Sequence, residues 1–193
     1  MYFSPAYLSS LIVEPLRYMF GAYAPVELTW NQDPKLSNIE IDTINNFNKI
    51  AIQSKPRILV SRGGYNMSSS GLTDSMYSSN TSRAIGPSKT KKMFYVNGSS
   101  QILVESVNEG TCEKIVELVA NFITRTAPLI CDVQGFNQFG IPLSVSPCTP
   151  GKENTDIFSC TISFNWNKET AHMTTIDGVD LKKIVTSVFQ AVV

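Results

Sequence analysis

Seven basic residues, Lys55, Arg57, Arg62, Arg83, Lys89, Lys91 and Lys92, share one stretch of chain that only Asp74 opposes. That stretch carries a net charge of about +6. Such a segment can contact a nucleic-acid backbone or an acidic protein surface, or it can simply stay solvated. Its aromatic residues are Tyr65 and Tyr77 alone, which is thin for stacking on single strands.

Catalytic chemistry finds little support in the residue types. His172 is the sole histidine and sits in the polar run Lys168-Glu169-Thr170-Ala171-His172, where a surface role is the plain reading. No nucleophile and orienting acid can be picked out to accompany it. There is no Gly-x-Ser-x-Gly elbow. Gly86-Pro87-Ser88-Lys89-Thr90 lacks the leading glycine and the Gly-Lys of a phosphate loop, and it lies in serine-rich sequence. The carboxylates are scattered. The expectation is a protein that is not an enzyme, with no metal and no cofactor.

Cys112, Cys131, Cys148 and Cys160 form no Cys-x-x-Cys pair and have no histidine at ligand spacing, which argues against zinc. Four cysteines allow three disulfide pairings. Buried free thiols in a reducing cytoplasm are the simpler reading. The sequons at Asn66, Asn80 and Asn97 read as chance matches in serine-rich sequence. The N-terminal stretch lacks a basic n-region and is broken by Glu14, Pro15 and Arg17, so it reads as mature structure. No run of eighteen apolar residues occurs, and no membrane span is expected.

The 193 residues suit a single domain. Sixteen basic and sixteen acidic residues cancel, and the 17% charged share is below the roughly 25% of an average soluble domain. Low charge with neutrality favours a surface covered by partners or by copies of the chain.

The elements follow from periodicity and punctuation. Ser4-Pro5 opens a helix with Leu8, Leu11, Ile12, Leu16, Met19 and Phe20 at helical spacing; Pro15 should kink or split it, and Gly21 stops it. Short strands are expected at Val26–Trp30, Ile39–Asp42 and Ile58–Val60. Residues 63–90, rich in serine and glycine, read as a long arm without regular structure. Residues 93–107 read as a hairpin turning at Asn97-Gly98. A helix capped by Thr111 carries the stripe Ile115, Val116, Leu118, Val119, Phe122 and Ile123, and should end at Pro128. A strand at 129–133, a Gly/Pro-rich excursion at 134–155 and an alternating strand at 157–166 follow. Val179, Leu181, Ile184, Val185, Val188 and Phe189 describe a C-terminal amphipathic helix within 174–193, starting at Asp177 or Asp180. The sum is an α+β fold: a mostly antiparallel sheet, helices on one face, and the arm inserted between strands.

Four pieces, Pro56-Arg57-Ile58-Leu59-Val60-Ser61, the 93–107 hairpin, the Cys112–Arg125 helix and the Ile157–Trp166 strand, give the chain a resemblance. In their order it resembles a tailed-bacteriophage tail terminator or a related neck protein. The resemblance spans roughly residues 5–170. It implies a structural virion protein, assembled in the host cytoplasm, that closes as a hexameric ring, caps the tail tube and joins tail to neck. Its partners would be further copies, the tube or sheath protein and the connector, with DNA passing through the lumen. Another neck, head-completion or baseplate role, or a nucleic-acid-binding accessory protein using residues 55–92, are the alternatives. Arg57, Arg62, Arg83, Lys89, Lys91 and Lys92 are the candidate contacts to partner or DNA. Leu8, Leu11, Leu16, Val185 and Phe189 are the candidates for subunit contact, with intrachain core as the competing reading.

Overall fold

Leu8, Ile12, Leu16 and Phe20 recur every fourth residue, and that stripe is buried along α1 (Pro5–Ala22). The helix passes through Pro15 without splitting, because Val13, Leu16 and Phe20 anchor both sides of it in the core. The structure is a computed structural model that describes residues 5–45, 55–69, 88–151 and 156–176, with the backbone alone at 5, 6, 69, 88–93 and 171–176.

After α1 the chain makes a single 3-10 turn, Val26–Leu28, where a strand was expected. The Thr29 hydroxyl folds back onto the Val26 carbonyl (3.0 Å), and Trp30 N donates to Phe20 O (3.2 Å), so the segment caps the helix instead of joining the sheet. β1 (Glu40–Thr43) follows and pairs in parallel with β2 (Arg57–Ser69), Ile41 opposite Ile58. β3 is Ser88–Ser106, α2 is Glu109–Gln134, β4 is Phe136–Val145, β5 is Thr149–Pro150 and β6 is Phe158–Ile176. Among the described residues these make one six-stranded, mostly antiparallel sheet in the order β1-β2-β3-β6-β4, with β5 on β6 and two helices packed against it.

Several expectations are corrected. β3 runs straight through Asn97-Gly98, so no hairpin turns there. Gly98 has no positive φ; it makes room for a neighbour. A Cβ at Gly98 would fall 2.7–2.8 Å from Cε2 and Cη2 of Trp166 on β6, closer than any real Cβ stands. The arm expected at 63–90 is strand at both ends, to Ser69 and from Ser88, because adjacent strands satisfy its backbone; residues 70–87 lie outside the described residues.

Asn108, not Thr111, caps α2: its Oδ1 accepts from Thr111 N at 3.1 Å. The helix does not end at Pro128 and no strand forms at 129–133. An interior proline costs about 3 kcal/mol. Here Pro128 faces solvent, while Ile123 and Ala127 are buried against Gly140 of β4. The helix stops at Gly135, whose φ of 68° and bond to Cys131 O form a left-handed cap. The 134–155 excursion contains β4, including a cis Ile141–Pro142 bond, and β5. β6 extends well past Trp166 to Ile176, so the segment 174–176 is strand; the helix expected beyond it lies outside the described residues.

The chain divides into two compact units, Met1–Tyr65 with Asn97–Asn167, and Asn66–Val96 with Lys168–Val193. In the first, Ile102 and Val104 of β3 and Cys160, Ile162, Phe164 and Trp166 of β6 alternate inward to meet the helices. Phe136 meets Phe139 and Trp166 edge-on at 5.3 and 6.3 Å, completing the core beside β4. The second unit comprises, among its described residues, the continuing lengths of β2, β3 and β6.

Candidate functional site

Two ties fix how the helices lie. The Tyr7 hydroxyl on the first turn of α1 donates to Gln134 Oε1 at the end of α2. Beyond the other end of α1, Lys114 Nζ donates to Glu27 Oε1 at 2.7 Å, near the start of α2. The helices therefore run antiparallel across one side of the sheet. The Lys114 ammonium holds the Glu27 carboxyl below its ordinary range.

This arrangement leaves apolar side chains exposed at both ends of the helix pair. At the end where α2 begins stand Tyr18 and Tyr23, their rings edge-on at 5.9 Å, followed by Val26. Tyr23 is 74% exposed, and its hydrogen bond with the Tyr18 hydroxyl pushes its phenol up. At the other end Leu129 (62% exposed) and Val133 stand one turn apart on the outer face of α2. From Lys114 to Leu129 the helix axis covers about 22 Å, so the two patches are separate.

The subunit-contact candidates from sequence fare differently. Leu8 and Leu16 are 1% and 0% exposed and belong to the core of the chain itself. A helical stripe signals burial but not against what, so this correction required the fold. Leu11 is half-buried. Val185 and Phe189 lie outside the described residues.

The basic candidates are likewise dispersed. Arg57, 5% exposed, gives both Nε and Nη2 to Glu105 Oε2 and is a buried structural cation, not an arm contact. Arg62 is exposed on β2. Lys89, Lys91 and Lys92 lie on the length of β3 that belongs to the second unit. Arg83 lies outside the described residues.

Arg17 divides two hollows where α1 meets β1. Its Nε donates to Ile41 O (3.1 Å), its Nη1 pairs with Glu14 (3.0 Å), its Nη2 stands 3.7 Å from Asp42, and the guanidinium lies 5.4 Å from the Trp30 ring centre. One hollow, about 570 Å³, is lined by Ser9, Ser10, Thr43, Ser61 and Arg62; the other, about 350 Å³, by Trp30, Gln32, Pro34 and Lys55. Apolar side chains share both linings, Val13, Ile44 and Val60 in the first and Ile39 and Ile41 in the second, and Arg17 is already balanced by two carboxylates. The arrangement props α1 on β1.

Among the described residues, no group of three or more His, Cys, Asp and Glu could hold a metal ion. Among them, no helix is long and apolar enough to cross a membrane. Sequence reasoning missed the Tyr18–Tyr23 and Leu129–Val133 patches; the interruption of the buried stripe by exposed apolar residues was the available signal. No family model matches the chain, and the comparison with curated proteins finds no match.

Proposed function

We propose that this chain is a structural virion protein of a tailed bacteriophage, a tail terminator at the neck that closes into a ring, of six copies by resemblance. The observation that carries the reading is the pair of separate apolar patches at opposite ends of the helix layer. Two different patches favour a head-to-tail contact, in which Tyr18 and Tyr23 of one copy meet Leu129 and Val133 of the next. Repeating such a contact closes a ring if the rotation fits. The low charge and zero net charge suit a surface shared with neighbours.

The long strands fit the second half of the role. β2, β3 and β6 continue into a unit that carries Lys89, Lys91 and Lys92. In a ring, these cations repeat in every copy and suit an acidic tube or connector surface, or DNA in transit. The role asks for no catalysis and no cofactor.

Mass measurement in solution with negative-stain imaging tests the proposal. The expected result is a closed ring, with Tyr18→Asp or Leu129→Asp giving monomers that remain folded. A dimer whose DNA affinity falls steeply with salt would favour the nucleic-acid-binding alternative instead.

A further inference from the structure

Three of the four cysteines meet at one place. β5 pairs antiparallel with β6, Thr149 opposite Ser159 and Pro150 opposite Phe158. Cys148 and Cys160 are the next residues beyond that ladder, one on each strand. The Gly151 N to Ile157 O bond (2.7 Å) keeps this register on one side, while on the other Ser146 N bonds Thr161 O (2.9 Å), one residue out of it, so the chain bulges at Pro147-Cys148 beside Cys160. Cys160 Sγ donates to Ser146 O at 2.9 Å, which holds the Ser146–Cys148 stretch against β6. Cys112, in the first turn of α2, lies on the same side, its Sγ 3.8 Å from both Val104 O and Phe158 O. The Cys148 thiol lies close enough to both that it raises the Cys112 and Cys160 thiols. All four cysteines are free thiols in this structure.

We propose that Cys148 and Cys160 form a thiol–disulfide exchange site that closes a cross-strand bridge between the β5 segment and β6 when the protein meets a small-molecule disulfide.

The order of events follows from exposure. Cys112 and Cys160 are buried, and burial pushes both thiols up, disfavouring their thiolates. Cys148 is half-exposed and meets the reagent first. Its thiolate attacks one sulfur of the small disulfide and expels one small thiolate, leaving a mixed disulfide on Cys148. Cys160, on the neighbouring strand, then loses its proton and attacks the Cys148 sulfur, expelling the second small thiol. The two protein thiols are oxidised by two electrons, and the reagent's S–S bond is reduced to two thiols. Raising the pH speeds the closing step, because it is the buried thiol that must ionise. Cys131 provides an internal comparison, since about 28 Å of helix separates it from Cys112. The inference does not depend on the ring assignment.

The test treats the folded full-length protein with oxidised glutathione in mildly alkaline buffer, quenches with an alkylating reagent and maps cysteine peptides by mass spectrometry. The expected result is a glutathione adduct on Cys148 that gives way to a Cys148–Cys160 bridge, while Cys112 stays alkylatable after unfolding. Cys112→Ser should retain the bridge, and Cys160→Ser should abolish it. An adduct that persists on wild-type Cys148, or a bridge from Cys148 to Cys112, would overturn the proposal. The wild-type map stands by itself if either variant fails to fold.

Discussion

Gly98→Ala tests why β3 runs straight where the local sequence writes a turn. The added methyl would lie 2.7–2.8 Å from Cε2 and Cη2 of Trp166. Ordinary carbon contacts sit at about 3.5–4.0 Å and Cζ2 of the ring stands closer still, so strand or ring must yield by more than about 1 Å. The ring has little room: Trp166 is 2% exposed and is met edge-on by Phe136. Overpacking of this kind costs about 1–3 kcal/mol. Removing a glycine from a strand offsets about 0.5–1 kcal/mol of that, leaving a net loss of up to about 2.5 kcal/mol. Urea unfolding followed by far-ultraviolet circular dichroism measures the loss without relying on tryptophan fluorescence. In a Trp166→Leu background the clash disappears, and Gly98→Ala should be neutral or mildly stabilising, a coupling of about 1–3 kcal/mol. Were Gly98 instead a turn glycine, its substitution would cost the same in both backgrounds. That equality would refute the close-packing argument.

Other parts of the fold make equally direct predictions. Glu105→Ala leaves the buried Arg57 guanidinium without its carboxylate and should cost about 3–5 kcal/mol in denaturant unfolding. Gly140 has a φ of 73°, and a Cβ there would stand 2.9 Å from Ile123 Cγ2, so Gly140→Ala should lower stability by about 2 kcal/mol or more. Asn108→Ala removes the acceptor for Thr111 N and should cost about 1 kcal/mol, with early amide exchange confined to the first turn of α2.

The fold class was legible because its strongest signals are local. Alternation along β6, the stripe of α2 and the Ile58–Val60 core each follow from one periodicity. What was not legible depends on neighbours. Asn97-Gly98 favours a turn in isolation, but strand pairing and the Trp166 ring set its conformation. Pro128 should end a helix, but burial of Ile123 and Ala127 carries α2 to the Gly135 cap. The arginine at 57 looked like one more arm cation because charge in a sequence does not reveal the carboxylate 48 residues away. That Cys148 lies just beyond the β5–β6 ladder, beside Cys160, is a matter of strand pairing, which spacing alone does not state.

Mixing two defective variants distinguishes the proposed head-to-tail ring from any two-fold dimer. Tyr18→Asp spoils one patch and leaves Leu129 and Val133 intact; Leu129→Asp does the reverse. Native mass spectrometry should show the wild type at six times its 21.3 kDa chain mass and each variant alone as a monomer. The mixture should contain a one-to-one heterodimer and nothing larger, because only one sound interface can form per pair. A wild type that stays a dimer, or a mixture that assembles no heterodimer, would rule out the head-to-tail ring.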